Sequence, residues 1–232
     1  MGVPAFPATT RGACSCCGQV RTAAGACPNR WCRRGGSDLS AVYWAGRYQG
    51  DLRLAILRYK YGEDRRWAPV FARQLAAFLR RHATWFEEDA VLCPVPSFAG
   101  RDARRRWSPV GLVCEEMARE LGRTWAVEPL LVKRAETVPM SRCDARRREL
   151  SVGRRLLAAT ALAPGVPSEA LDGLRVVLVD DVCASGHTLL ACARALRSAG
   201  ASEVTGLVVA RAFLARSRVP GRPPGDGQPA SP

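Results

Sequence analysis

Long apolar runs are missing from this chain. No window of about eighteen residues is free of polar interruption, so no membrane-crossing helix is expected. The opening residues, MGVPAFPATTRGAC, hold no basic stretch followed by an apolar core, so export by a signal peptide is not expected and a cytoplasmic location follows. Lysine is scarce: Lys60 and Lys133 are the only two, and the remaining basic residues are arginine. That preference can reflect coding composition alone. The excess of bases over acids cannot, and a formal charge of +14 favours polyanionic partners or ligands and non-specific adhesion to nucleic acid. No internal repeat is visible.

What is present bounds the rest. A hydrophobic share of 47% in 232 residues is enough for a sizeable core, in one domain or a domain with a small module. Ten cysteines in a chain expected in the cytosol argue for metal or structural thiols rather than disulfides. Cys93, Cys114, Cys143 and Cys192 sit in apolar or helical patterns and read as small buried hydrophobes. Cys183 stands beside a helix start, where a lowered thiol pKa is conceivable, though not a nucleophilic role.

The chain is organised around Val176 to Leu190, VVLVDDVCASGHTLL. Val176 to Val179 form a short apolar run of the kind buried on both faces of a parallel sheet. Two carboxylates follow, Asp180 and Asp181. Then comes a small-residue turn from Cys183 to Thr188, after which Leu189, Cys192, Ala193 and Leu196 repeat at helical spacing. Strand, acids, turn and helix make the layout of a phosphate site, where free amides and the positive end of a helix dipole meet an anion. Gly186 permits close approach, and Ser185 and Thr188 offer hydroxyls. The bland counterpart is an ordinary strand end with two solvated aspartates.

Residues 1–12 read as disordered and 213–232 as a disordered tail, rich in Pro and Gly from Arg222 onward. Within 13–36, Cys14 and Cys17, then Cys27 and Cys32, form two pairs suited to tetrahedral zinc, with Gly18 placed for a tight knuckle. Cys16 competes with Cys17, and a redox-sensitive cysteine cluster is the alternative. Arg11, Arg21, Arg30, Arg33 and Arg34 make this knuckle basic, which suits a nucleic-acid backbone and also a solvated surface. Residues 40–88 read as helical. Leu52, Ile56 and Tyr59 form one face, and Trp67, Val70, Phe71, Leu75, Phe78 and Leu79 a stronger one, taken as core rather than a base-stacking platform. His82 reads as a surface residue closing the second helix.

The span 89–212 begins with a strand and the loop Val95-Pro96-Ser97, at the edge where open α/β sheets bind ligands. Four arginines follow between Arg101 and Arg106. Ser108 and Pro109 read as a helix cap and first residue, with Val110, Cys114, Met117 and Leu121 on one face. Strands are expected near Val127–Val132, Leu156–Leu162 and Val204–Val209, with Gly200 closing the helix before the last. Arg142 to Arg155 holds six arginines and is expected to lie across the mouth of the site.

The central fifteen residues resemble the signature of type I phosphoribosyltransferases. The order of the cysteine knuckle, Leu57-Arg-Tyr-Lys-Tyr, Cys93-Pro-Val-Pro-Ser97, the arginine cluster, Thr137-Val-Pro and the terminal motif resembles the ComF (competence protein F) family across about residues 14–212. Two positions depart from that family's pattern, at Arg106-Trp107-Ser108-Pro109 and at Met140. The resemblance implies an α/β fold, a phosphoribosyltransferase-like parallel sheet flanked by helices behind a small zinc knuckle. It further implies that Asp180 and Asp181 hold the ribose hydroxyls, and that Cys183, Ala184, Ser185, Gly186, His187 and Thr188 hold the 5-phosphate. Val95, Pro96 and Ser97, with Arg105 and Arg106, would meet the pyrophosphate of phosphoribosyl pyrophosphate or a related sugar phosphate, with Mg2+ bridging its oxygens if the chain is catalytic. Relatives acting on purines carry a carboxylate at the position of Ala184, which alanine cannot replace. The implied role is ligand binding with single-stranded DNA and the DNA-uptake machinery in natural competence. The alternative is an active phosphoribosyltransferase in nucleotide salvage.

Overall fold

The computed structural model describes residues 13–14, 16–33, 38–83, 90–98, 107–122, 125–135 and 156–213. Its centre is a four-stranded sheet in the order β1-β6-β5-β2, every neighbouring pair parallel. The strands are β1 (Ala41–Arg47), β2 (Val91–Pro94), β5 (Arg175–Cys183) and β6 (Glu203–Arg211). Val176 to Val179 are buried, as are Val204 and Leu207 to Ala210, so the two inner strands carry apolar side chains on both faces. A short antiparallel pair, β3 (Leu131–Lys133) with β4 (Thr160–Leu162), lies outside this sheet.

Helices cover both faces. On one side α2 (Gly50–Tyr61), α3 (Trp67–Arg81) and α4 (Pro109–Leu121) bury Ile56, Tyr59, Phe71, Leu75, Phe78, Leu79 and Met117 against Val177, Val179, Leu207 and Val209. On the other, α5 (His187–Ser198) packs Leu189, Cys192 and Leu196 against Val176, Leu178, Val204 and Val208. The start of α4 follows its local sequence: the Ser108 hydroxyl accepts the Gly111 N–H at 3.0 Å and Pro109 occupies the first helical position. Cys93, Cys114 and Cys192 are fully buried, as small hydrophobes should be; Cys143 lies outside the described residues.

Two sequence expectations need correction. The helical reading of 40–88 holds for α2 and α3, but Ala41–Arg47 is a strand. Its run AVYWAGR is too short and too apolar for periodicity to separate strand from helix, and pairing with β6 decides it. The expected strand at Leu156–Leu162 reduces to Thr160–Leu162, preceded by a helical turn at 156–159. Near Val127–Val132 the chain makes a parallel bridge from Val127 to Leu92 and then starts β3 at Leu131.

The knuckle does not stand apart from the sheet. The Gln19 amide, itself fully buried, donates to the Ala212 carbonyl at 3.0 Å, just past the end of β6. Gly18 lies against the Trp44 ring of β1, and the Cys16 thiol donates to the Leu39 carbonyl at 3.4 Å.

Candidate functional site

Parallel strands end at a common edge, and at that edge the loop after β2 lies beside the end of β5. Pro94 is in register with Val179, and the Val95 N–H donates to the Val179 carbonyl at 2.9 Å. The loop after β2 therefore leaves beside the acids of β5. Val95 is buried in the core, Pro96 half-buried and Ser97 exposed. Arg105, Arg106 and the arginine-rich 142–155 lie outside the described residues.

The two aspartates are not a pair of free carboxylates. Alternation along the strand turns them to opposite faces. Asp181 is buried at 4% exposure, and its Oδ1 sits 2.6 Å from the Lys60 ammonium at the end of α2. Asp180 folds back so that Oδ1 accepts the Asp181 N–H at 2.8 Å. Burial, then the neighbouring Asp181 charge, push the Asp180 carboxyl well above the usual carboxylate range, with Lys60 opposing. Burial alone would lower the Lys60 pKa; Asp181 and Asp180 outweigh it and raise it. Burial thus dominates at Asp180, and neighbouring charge at Lys60.

The turn after β5 has the geometry of an anion cradle. Gly186 sits in the left-handed region at φ 86° immediately before α5. The Cys183 carbonyl accepts from Ala212 N–H at 2.9 Å and from the Arg211 guanidinium at 2.6 Å. Arg211 also reaches the Ala184 carbonyl, and the Trp31 indole N–H donates to the Ser185 carbonyl at 3.1 Å. In a trans peptide the N–H points opposite its carbonyl. The amides of Ala184, Ser185 and Gly186 are thereby turned away from the groups that hold those carbonyls, and they make no hydrogen bond among the described residues. Successive free amides at a helix start form a concavity for an anion. The Ser185 hydroxyl is engaged by the His187 ring at 2.9 Å, and Thr188 is half-buried.

Arg211 was not foreseen. It is fully buried, and its Nε and Nη2 have no partner among the described residues. An arginine closing the apolar run Leu207 to Ala210 is the signal that marks it, since an interior strand position has no ordinary place for a charge. Lys60 and Trp31 were likewise absent from the expected site.

Cys183 is corrected by the same geometry. Burial pushes its thiol up to about 11, against the opposing pull of Arg211. A thiol reagent at pH 8 should therefore leave Cys183 unmodified in the folded chain, as peptide mapping by mass spectrometry would show. Rapid labelling there would contradict the buried arrangement.

Cys14, Cys17, Cys27 and Cys32 form the knuckle cluster, with sulfurs all within 4.8 Å of one another. Cys14 and Cys32 are 3.5 Å apart, and Cys17 and Cys27 3.4 Å. Tetrahedral zinc–thiolate bonds place sulfurs about 3.8 Å apart, so the set fits a metal such as zinc closely. Desolvation raises the Cys27 thiol to about 12 and the Cys32 thiol further, in both cases aided by the other cysteines; a cation would relieve this. Cys14 goes the other way: burial raises it, but the Cys17 and Cys16 amides bring it to about 7. Arg21 and Arg33 donate to the carbonyls of Gly25 and Cys27, so their guanidinium groups are partly engaged within the knuckle.

Comparison with known proteins agrees with the fold. The model of the phosphoribosyl transferase domain matches residues 115–218, a little under half of the chain. No curated protein matches in sequence. Among solved structures, a phosphoribosylpyrophosphate synthetase from Mycobacterium smegmatis is 17% identical over 61% of this chain and 33% of its own, with a TM-score of 0.35. A hypoxanthine phosphoribosyltransferase from Staphylococcus aureus is 9% identical over 63% and 64%, at 0.38. A phosphoribosyltransferase from Corynebacterium diphtheriae is 18% identical over 61% and 71%, at 0.31. The chain thus spans a third of the synthetase's length, and superpositions this loose carry no argument about ligand or chemistry. The parallel sheet flanked by helices and the domain match make this a phosphoribosyltransferase-type α/β fold, with an N-terminal cluster of four cysteines that could hold a metal. No helix among the described residues is long and apolar enough to cross a membrane.

Proposed function

We propose that this chain is a ComF-type protein of phosphoribosyltransferase fold that binds phosphoribosyl pyrophosphate or a related sugar phosphate, and acts with single-stranded DNA during uptake in the cytoplasm. The observation that carries the reading is the run of unpartnered amides at Ala184, Ser185 and Gly186, set between two aspartates and the start of α5. A 5-phosphate fits this cradle. The ribose hydroxyls would then meet Asp180 and Asp181, which requires Lys60 to yield its bond to Asp181. Pro96 and Ser97 stand where pyrophosphate would lie, with Arg105 and Arg106 proposed to neutralise it. The paired aspartates and a bound pyrophosphate would together offer Mg2+ the oxygen ligands it prefers.

Binding is favoured over turnover. Ala184 offers no carboxylate to a departing or arriving base, so the chain's own groups supply positioning and charge without a proton donor at that point. The net charge of +14 supports attraction to a polyanion that weakens steeply with salt.

Calorimetric titration of phosphoribosyl pyrophosphate with magnesium, with and without single-stranded DNA, tests the reading. Wild type is expected to bind, and Asp181→Asn to bind at least roughly tenfold more weakly, the loss of one charge-assisted contact pair. Equal binding by the two proteins would remove the aspartates from the site, and absence of binding would remove the ligand. Pyrophosphate release with any nucleobase would convert the proposal into the enzymatic alternative.

A further inference from the structure

We infer that the four-cysteine knuckle is a positioning element of the phosphate cradle, acting through Trp31, so that metal retention by the knuckle and anion affinity of the turn are coupled. The inference rests on the proposed ligand reading and adds to it a residue and a partner site.

Trp31 lies on the short helix α1 (Arg30–Arg33), between the ligands Cys27 and Cys32. Its indole donates to the Ser185 carbonyl, and its ring lies over Gly186 so closely that a Cβ there would stand 2.9 Å from Cζ2. Arg211 holds the two preceding carbonyls from the sheet side. Three consecutive carbonyls are therefore fixed by two side chains, one rigid within β6 and the other carried by the knuckle. If Trp31 withdraws, the peptide between Ser185 and Gly186 is free to turn, and one of the three amides leaves the cradle.

The knuckle's own interior is its cysteines, while Trp31 also packs on the core beneath α5. The knuckle's buried cluster consists of Cys14, Cys17 and Cys27 with Cys16, Trp31 and Cys32 packed on them. A module whose core is its ligands is ordered by the metal those ligands bind. The metal thus fixes Trp31, and Trp31 fixes the cradle. Docking through Gln19 to Ala212 and through Gly18 to Trp44 holds the knuckle in place over the same sheet edge. Linkage is reciprocal, so a bound phosphate must strengthen metal retention by the same factor that the metal strengthens phosphate binding.

The experiment uses the zinc-loaded full chain and Trp31→Phe, which keeps an aromatic side chain in the knuckle but removes the N–H donor and the part of the indole that lies over Gly186. Phosphoribosyl pyrophosphate with magnesium is titrated into each, and zinc release to a chromogenic chelator is followed with and without that ligand. Trp31→Phe should keep its zinc content and bind the ligand roughly five- to tenfold more weakly, the worth of one hydrogen bond. The ligand should slow zinc release from wild type and slow it less from Trp31→Phe. As a check that needs no variant, zinc-stripped wild type should bind the ligand more weakly and recover on reloading. Equal affinities, or equal slowing of release in the two proteins, would overturn the coupling while leaving the ligand reading intact. Failure of zinc-loaded wild type to bind the ligand would overturn the parent reading, and this inference with it.

Discussion

Replacing Gly186 by alanine is expected to abolish most sugar-phosphate binding and to lower stability by about 2–5 kcal/mol, from two separable causes. The first is conformational: φ 86° lies in the left-handed region, which costs an L-residue roughly 1–2 kcal/mol. The second is steric, because the new methyl would meet Cζ2 of Trp31 at 2.9 Å. Either the indole moves, losing its bond to Ser185, or the turn moves, losing the amide array. Gly165 separates the causes. It has the same φ of 86° but open space where its Cβ would lie, so Gly165→Ala should show the conformational part alone. Urea unfolding of both variants, beside phosphoribosyl pyrophosphate titration, makes the comparison. Similar losses in the two would mean that Trp31 does not confine the cradle.

Lys60→Met should be the most damaging change outside the turn. Asp181 is 5% exposed at its side chain and Lys60 23%, so removing the ammonium strands a carboxylate in the core. Losing one partner of a buried pair costs about 3–5 kcal/mol, and the partial exposure of Lys60 places the expected loss near the lower end, about 3 kcal/mol. The pH dependence has a definite sign. The folded Lys60 pKa is raised, so its contribution is full below the ordinary lysine value and declines only as pH climbs past it. The bridge is therefore intact throughout the neutral range. The double variant Lys60→Met, Asp181→Asn removes both charges and should recover most of the stability in urea unfolding without recovering ligand binding. If the double variant is no more stable than Lys60→Met, the lost pair is not what destabilises the single change.

The legible parts of the molecule are those whose chemistry is local. Asp180 to Thr188 is contiguous, and an apolar run passing into acids, a glycine turn and a helical repeat reports its own geometry. The knuckle cysteines are legible for the same reason, and Cys17 rather than Cys16 joins the close cluster because the Cys16 thiol turns to the Leu39 carbonyl. Trp31 and Lys60 carry no local mark of this kind, and Arg211 has only its place at the end of an apolar run. Trp31 meets Ser185 across 154 positions of chain, and Lys60 reads only as one more residue of an amphipathic helix until α2 packs beside β5. The strand β1 is not legible because seven residues with three buried positions, Val42, Trp44 and Ala45, fit either period. The status of the aspartates was also beyond the sequence. A DD pair at a strand end says that two carboxylates are adjacent, not that one of them is neutralised by a lysine from another layer.

Strand β1 has a consequence for how the molecule comes into being. In the four-stranded sheet its one neighbour is β6, the last strand among the described residues, and the knuckle ahead of it rests on Ala212 just beyond. On the ribosome, β1 must wait unpaired until β6, far along the chain, has been made. Contacts this distant in sequence slow folding and leave an apolar edge open meanwhile. Truncation before Glu203 would leave β1 and the knuckle without their docking surface, so assembly of this part of the protein is gated by the completion of β6.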